Sequence, residues 1–302
     1  MSATASEILR EQEAESSGAG RVRARMRLDF ARDTFAGNTR LMESWQEPPL
    51  KVVRAFTLED GTALVHLHNV SGGLLGGDQL SLRVNVGCEA SVQVTTTSAT
   101  RIYRHRREHL PTRQSNEFKV GEGALLEYLP DATIPFAGAN FSQRTSIELA
   151  NGAGIFWWEM VAPGREASGE LFAYERFEMR TRVSALGRKI AAENICLRPG
   201  KQVIGSLARW GANRYAATFY ICRVGIAASE WRRAEERLRE VSSRLTRRGE
   251  ILWGVSSLVA HGLVVKCIAR NGRDVLPGLH ELWGSAKRDL YGREAIPPRK
   301  VN

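Results

Sequence analysis

Apolar and polar residues alternate with a period close to two through most of the chain. The pattern is clearest in "RMRLDF", "TALVHLHN", "QLSLRVNVG", "ASVQVTTT", "NEFKVGEGALLEYLP", "QRTSIELANGAGIFWWEM" and "LFAYERFEMRTRV", where Gly, Pro, Asn or Asp punctuate the runs. Side chains on a strand point alternately to its two faces, so such runs read as half-buried strands joined by turns. From Arg23 to about Arg198 the pattern predicts consecutive antiparallel strands. Strands and helices do not alternate, which excludes a doubly wound nucleotide-binding sheet.

The period changes near the C-terminus. Trp231, Ala234, Leu238, Val241 and Leu245 recur at helical spacing, which predicts an amphipathic helix lying on a sheet, capped by Ser229 and stopped by Gly249. Arg244, Arg247 and Arg248 complement its C-terminal dipole. A second helix is predicted from Leu279, Leu282, Trp283, Ala286 and Leu290, between Pro277 and Gly292. Between the two, "ILWGVSSLVAHGLVVKCIAR" predicts two buried strands joined through His261 and Gly262. No separating linker stands out. The expectation is a tail over residues 1–20 and one mainly β unit over 21–302 with two late helices.

Composition narrows the class. The chain has 302 residues, 43% hydrophobic, enough for a large core, and its apolar runs are too short for a membrane-spanning helix. The start, "MSATASEILREQEAESSGAG", is acidic and polar and lacks the basic and apolar regions of a secretion signal, which predicts a disordered tail on a cytoplasmic protein. Cys88, Cys196, Cys222 and Cys267 have no CxxC spacing and read as reduced core residues. The net charge of +10 suits nucleic acid, an anionic membrane or an acidic protein partner.

Candidate chemistry is sparse. The loop "VSGGLLGGDQL" has neither GxGxxG nor GxxxxGK[ST] and runs into a strand, so it is read as a strand connection with Gly73, Gly76 or Gly77 at positive φ. Asp78 would cap its turn. An enzyme binding a phosphorylated substrate at this loop stays open as an alternative. Thr95 to Ser98 end a strand, and Arg101, Tyr103, Arg104, Arg106 and Arg107 form the densest basic stretch, which a nucleic-acid surface would also want. His66 and His68 share a strand face, and His105 and His109 lie four apart, so either pair is a weak metal candidate. Glu127 and Asp131 lie four apart in an extended segment, and Glu159 sits among large apolar residues, where a carboxylate needs a partner or a proton. The alternative for all three is an ion pair with arginine. There is no GxSxG, HExxH or activated cysteine set.

The order of several blocks resembles the urease accessory protein UreD family, called UreH in some bacteria. These blocks are "SGGLLGGDQLSLRVNVGCEASVQVTTTSATRIYR", "LLEYLPDATIPFAGANFSQRTSIELANGAGIFWWEMVAPGREASGE" and the final "AIPPR". Asp131 stands where many members carry glutamine, and "HRREHLPTRQ" is more basic than the family pattern. The resemblance implies a mainly β fold, a β-helix-like stack of antiparallel or mixed strands with a small helical part. It also implies a non-catalytic maturation factor that binds apo-urease and joins UreF and the GTPase UreG to load nickel. No cofactor is tightly bound in this reading, and nickel is in transit. Glu127, Asp131 and Glu159 line or flank the nickel route, while Gly76, Gly77, Asp78, Thr96, Arg101 and Tyr103 shape the loop or meet a partner. The partners are proteins, not nucleic acid or membrane; the competing reading is a basic β-rich nucleic-acid-binding protein.

Overall fold

A computed structural model describes residues 22–104, 110–206 and 209–298. The expected tail, His105, Arg106, Arg107, His109 and the last four residues lie outside the described residues.

Two sheets stack face to face. The first contains β1 (Arg23–Arg32), β2 (Thr39–Gln46), β6 (Gln79–Val86), β9 (Thr112–Val120), β12 (Asn140–Leu149), β14 (Arg176–Ala185) and β15 (Arg188–Leu197), in the order β15-β14-β12-β9-β6-β1-β2. The second has a main path of β3 (Leu50–Lys51), β5 (Ala63–Asn69), β7 (Ser91–Thr96), β10 (Leu125–Tyr128), β13 (Gly154–Val161), β16 (Tyr215–Arg223), β17 (Ile251–Ser257) and β18 (Gly262–Ala269). Short strands β4 (Ala55–Thr57), β8 (Thr100–Ile102) and β11 (Thr133–Pro135) join it at the side.

The expected antiparallel order is corrected through the middle of both sheets. Strands β1, β6, β9, β12 and β14 pair in parallel, as do β5, β7, β10 and β13. The reason is topological. The chain crosses to the other sheet after almost every strand between β5 and β14 and returns in the same direction. Alternation reports which face a side chain takes and is silent on the direction of the neighbouring strand.

In-register pairing turns the inward positions into rows. Leu28, Val84, Phe118, Ile147 and Val183 form one such row across five strands and are buried against Val92, Leu126, Ile155 and Trp157 of the second sheet. The other face of the second sheet is covered by α1 (Ala228–Leu245) and α2 (Val275–Tyr291). Leu238, Val241, Leu279, Leu282 and Trp283 pack there against Phe156, Trp158 and Phe219.

Both predicted helical stripes face this core, and the corrections are local. The N-cap of α1 is Ala227, whose N–H donates to the Glu230 carboxylate at 3.1 Å. Ser229 lies inside the first turn, so the carboxylate three residues beyond the cap replaces the expected hydroxyl. Helix α1 ends at Thr246, and Gly249 turns the following loop. Strand β17 alternates between buried and exposed positions because it is an edge strand. Of the cysteines, Cys222 and Cys267 are buried, Cys196 is partly buried and Cys88 is exposed, all as thiols; Cys88 follows β6 in a turn, outside the apolar phase of the strand.

Helix α2 approaches β17 through Gly278, where an added Cβ would sit 2.5 Å from the buried Trp253 ring. Helix propensity alone would favour Gly278→Ala by about 1 kcal/mol. Overpacking reverses the sign, and a loss of about 1–3 kcal/mol is expected from urea unfolding; a raised midpoint would mean that Trp253 yields freely.

Candidate functional site

The glycine loop spans from β5 to β6 and therefore crosses from one sheet to the other. Its second half is a tight turn closed by Asp78 N–H donating to the Leu75 carbonyl at 3.1 Å, with Gly77 at φ 91°, the left-handed value that the third position of a type II turn demands. Gly73 is needed for a different reason than the expected positive φ. An added Cβ there would lie 2.4 Å from the Tyr103 ring and 2.8 Å from the Arg101 carbonyl. Leu74 exchanges backbone hydrogen bonds with Arg101 and Tyr103, each at 2.8 Å, so the loop is clamped onto the "TRIYR" segment. Gly76 sits beside Gly77 in the turn, and the Arg101 side chain is exposed.

Asp78 is 2% exposed. Its carboxylate accepts from Leu75 N–H at 2.8 Å and Val22 N–H at 3.1 Å, which ties the loop to the entry of β1. Thr96 ends β7; its hydroxyl accepts from Asp131 N–H at 2.9 Å and lies 3.4 Å from the Asp131 carboxylate.

Glu127 and Glu159 do not share one space. Glu127, on β10, points with Leu125 and Leu129 toward the helices. Its oxygens accept from Trp283 Nε1 at 2.9 Å, Lys287 Nζ at 3.2 Å and Gln93 Nε2 at 3.2 Å. Both ionic partners are 1% exposed, and Asp60 lies 3.8 Å from the same ammonium. Burial raises the pKa of Glu127, against the pull of Lys287, Trp283 and Gln93. The ion pair weighed as the alternative is present, with lysine in place of arginine. Gln93 also donates to the Ile296 carbonyl at 3.0 Å. Gln93, Glu127 and Ile296, one from each of three distant motif blocks, thus meet at one point.

Glu159, on β13, faces the opposite way, into the space between the sheets. It accepts a hydrogen bond from the Gln143 amide and one from Thr181. Around it runs a polar seam. Asn116, Thr145, Thr181 and Glu193 stand in register on β9, β12, β14 and β15. Gln114 donates to Asn116 at 3.1 Å, Asn116 to Thr145 at 3.4 Å, and Gln143 to Thr145 at 3.3 Å. At one end of the seam Gln114 and Thr96 line a cavity of about 110 Å³ together with His68 and Tyr128. At the other, Glu193 accepts from Tyr220 at 3.0 Å and from the exposed Lys266. Burial, with Glu193 adding like charge, pushes the Glu159 pKa up to about 8 against its hydrogen bonds to Gln143 and Thr181.

His66 and His68 both border the groove outside β5, where His66 meets the Phe56 ring edge-on with centroids 6.0 Å apart. No group of three or more His, Cys, Asp or Glu is arranged to hold a metal ion among the described residues.

Residues 22–302 match the family described as UreD urease accessory protein. The chain belongs to this family. It is 44% identical over 281 residues to the urease accessory protein UreD of Herpetosiphon aurantiacus, covering 93% of this chain and 97% of that one. It is also 31% identical over 277 residues to UreD of Deinococcus radiodurans, covering 91% and 94%. The UreD resemblance seen in separated blocks is therefore continuous, and Gln93, Glu127 and Ile296 bring one residue of each block together. No helix among the described residues is long and apolar enough to cross a membrane.

Reading the residues alone missed Lys287, Gln143 and Asn116. Each left a signal: Lys287 lies four residues after Trp283 on the apolar stripe of its helix, and the two amides occupy inward phases of their strands.

Two outcomes test the electrostatics. Lys287→Met leaves a buried carboxylate without its cation and is expected to lower stability by about 3–5 kcal/mol, while adding Glu127→Gln restores most of the loss; a double variant as unstable as the single would show that the pair is not the coupled unit. For Glu159 the folded pKa lies above the unfolded one, so folding takes up a proton and stability falls as pH rises from about 4.5 toward 8. Glu159→Gln removes that dependence, so its unfolding midpoint should gain on wild type as pH rises across that window. A pH-independent difference would mean that Glu159 is ionised in the fold throughout.

Proposed function

We propose that this chain is a non-catalytic urease maturation factor that binds the urease apoenzyme, joins UreF and through it the GTPase UreG, and passes nickel toward the urease active site. Family membership supports the maturation role. The polar seam between the sheets is the observation that supports the nickel part.

Seam chemistry suits a cargo ion that must not be retained. Hydroxyls and side-chain amides are weak ligands for nickel compared with imidazole or thiolate. Glu159 is the carboxylate nearest the middle of the seam, Asp131 with Thr96 stands toward the cavity end, and Glu193 stands at the edge. Burial raises the pKa of Glu159, so a passing divalent ion competes with a proton there, which keeps binding weak and reversible. Glu127 flanks this route from behind the sheet, where Lys287 holds it.

The experiment is activation of purified apo-urease by this chain with UreF, UreG, GTP and nickel, with nickel per active site as the readout. Glu159→Ala is expected to bind UreF normally and to load nickel severalfold more slowly. Normal loading by a folded, UreF-bound Glu159→Ala variant would remove Glu159 from the route.

A further inference from the structure

The helices cover only one of the two sheets, and the outward face of the first sheet carries an array of arginines. Arg23, Arg25, Arg113, Arg144 and Arg182 are exposed there and have no ion-pair partner among the described residues. Register pairing sets their spacing. Arg25, Ser81, Ser115 and Arg144 follow one another across β1, β6, β9 and β12, and Arg23, Gln79, Arg113 and Ser142 form the adjacent row. Successive strands are about 4.8 Å apart, and alternate residues on a strand about 6.6 Å. The small serines between the guanidinium groups leave a depression of 630 Å³, bordered by Arg23, Arg25, Arg113 and Arg144.

We propose that this face docks an acidic segment of a protein partner, whose carboxylates enter the depression and pair with these arginines. The proposal rests on the maturation reading in taking that partner from the urease apparatus. Planar guanidinium forks suit carboxylates, which they can bind in bidentate fashion, and the face already holds two carboxylates against its arginines. Glu178 is buried between Arg176 and Arg180, which bind it from both sides, and Arg83 reaches Glu117 at 2.7 Å.

One feature weighs against nucleic acid. The outward positions of β1, β6, β9, β12 and β14, which hold the array, carry no aromatic ring on which a base could stack, and the exposed Trp45 on this face stands at its β2 edge, opposite Arg27. Five strands at about 4.8 Å by eight residues at about 3.3 Å give a face of roughly 600 Å², close to the ~800 Å² that one partner contributes to a standard interface.

The test compares the full chain with Arg113→Glu/Arg144→Glu, using Arg232→Glu/Arg233→Glu on the exposed side of α1 as a control of equal charge change. Binding to poly-L-glutamate, to purified apo-urease with UreF, and to a duplex DNA oligonucleotide is measured at several salt concentrations, with melting curves to confirm folding. The array variant is expected to lose about tenfold or more in affinity for poly-L-glutamate and for the urease complex and to show a flatter salt dependence, while the control changes little. Unchanged binding of the array variant would overturn the proposal. Tighter binding of DNA than of poly-L-glutamate, lost in the same variant, would overturn it in favour of nucleic acid. Loss of poly-L-glutamate binding in the variant, with no binding of wild type to apo-urease or UreF, would support the acid-docking face and refute the maturation reading.

Discussion

Parallel strands held in register make a residue's position along its strand decide which row it joins, and the protein's layers follow from that constraint. Where successive strands present Leu, Val, Phe and Ile at the same level, as from Leu28 to Val183, the row is a slice of core. Two residues along, β1 and β6 still present Met26 and Leu82, but β9, β12, β14 and the antiparallel β15 present Asn116, Thr145, Thr181 and Glu193, and that part of the row is polar. A single polar side chain in such a place would lose hydrogen bonds to water without replacement. Aligned in a row, the side chains satisfy one another, and the seam is tolerated as a network.

Glu127 and Glu159 show how much a sheet face matters. Both lie on the second sheet, yet one points at the helices and the other into the seam, so their environments share nothing. Glu127 meets a lysine, an indole and an amide, an arrangement that joins β7, β10 and α2 at one buried point. A buried pair of this kind adds little net stability over an apolar replacement, but leaving either member alone is costly, so it favours one arrangement of helix on sheet. Glu159 has only neutral donors within hydrogen-bonding reach, and its proton affinity rises accordingly.

The positive charge has an address in the fold. Among the described residues, helices cover one face of the layered structure and none covers the outer face of the first sheet, where five arginines have no counter-ion. Unlike the arginines paired with Glu178 and Glu117, these are available to a second molecule.

Alternation, helical stripes and turn residues were enough to read the β class, the two late helices, the hairpin at His261 and the strand-connecting role of the glycine loop, because each depends on neighbours a few residues away. The ordered motif blocks carried the family for the same reason. Strand direction, the facing of Glu127 away from Glu159, the partnership with Lys287, the polar seam and the arginine array depend on residues tens to hundreds of positions apart. Lys287 is 160 residues from Glu127. Local pattern fixes which side of a strand a residue occupies, but only the crossing of the chain between two sheets decides what stands opposite it.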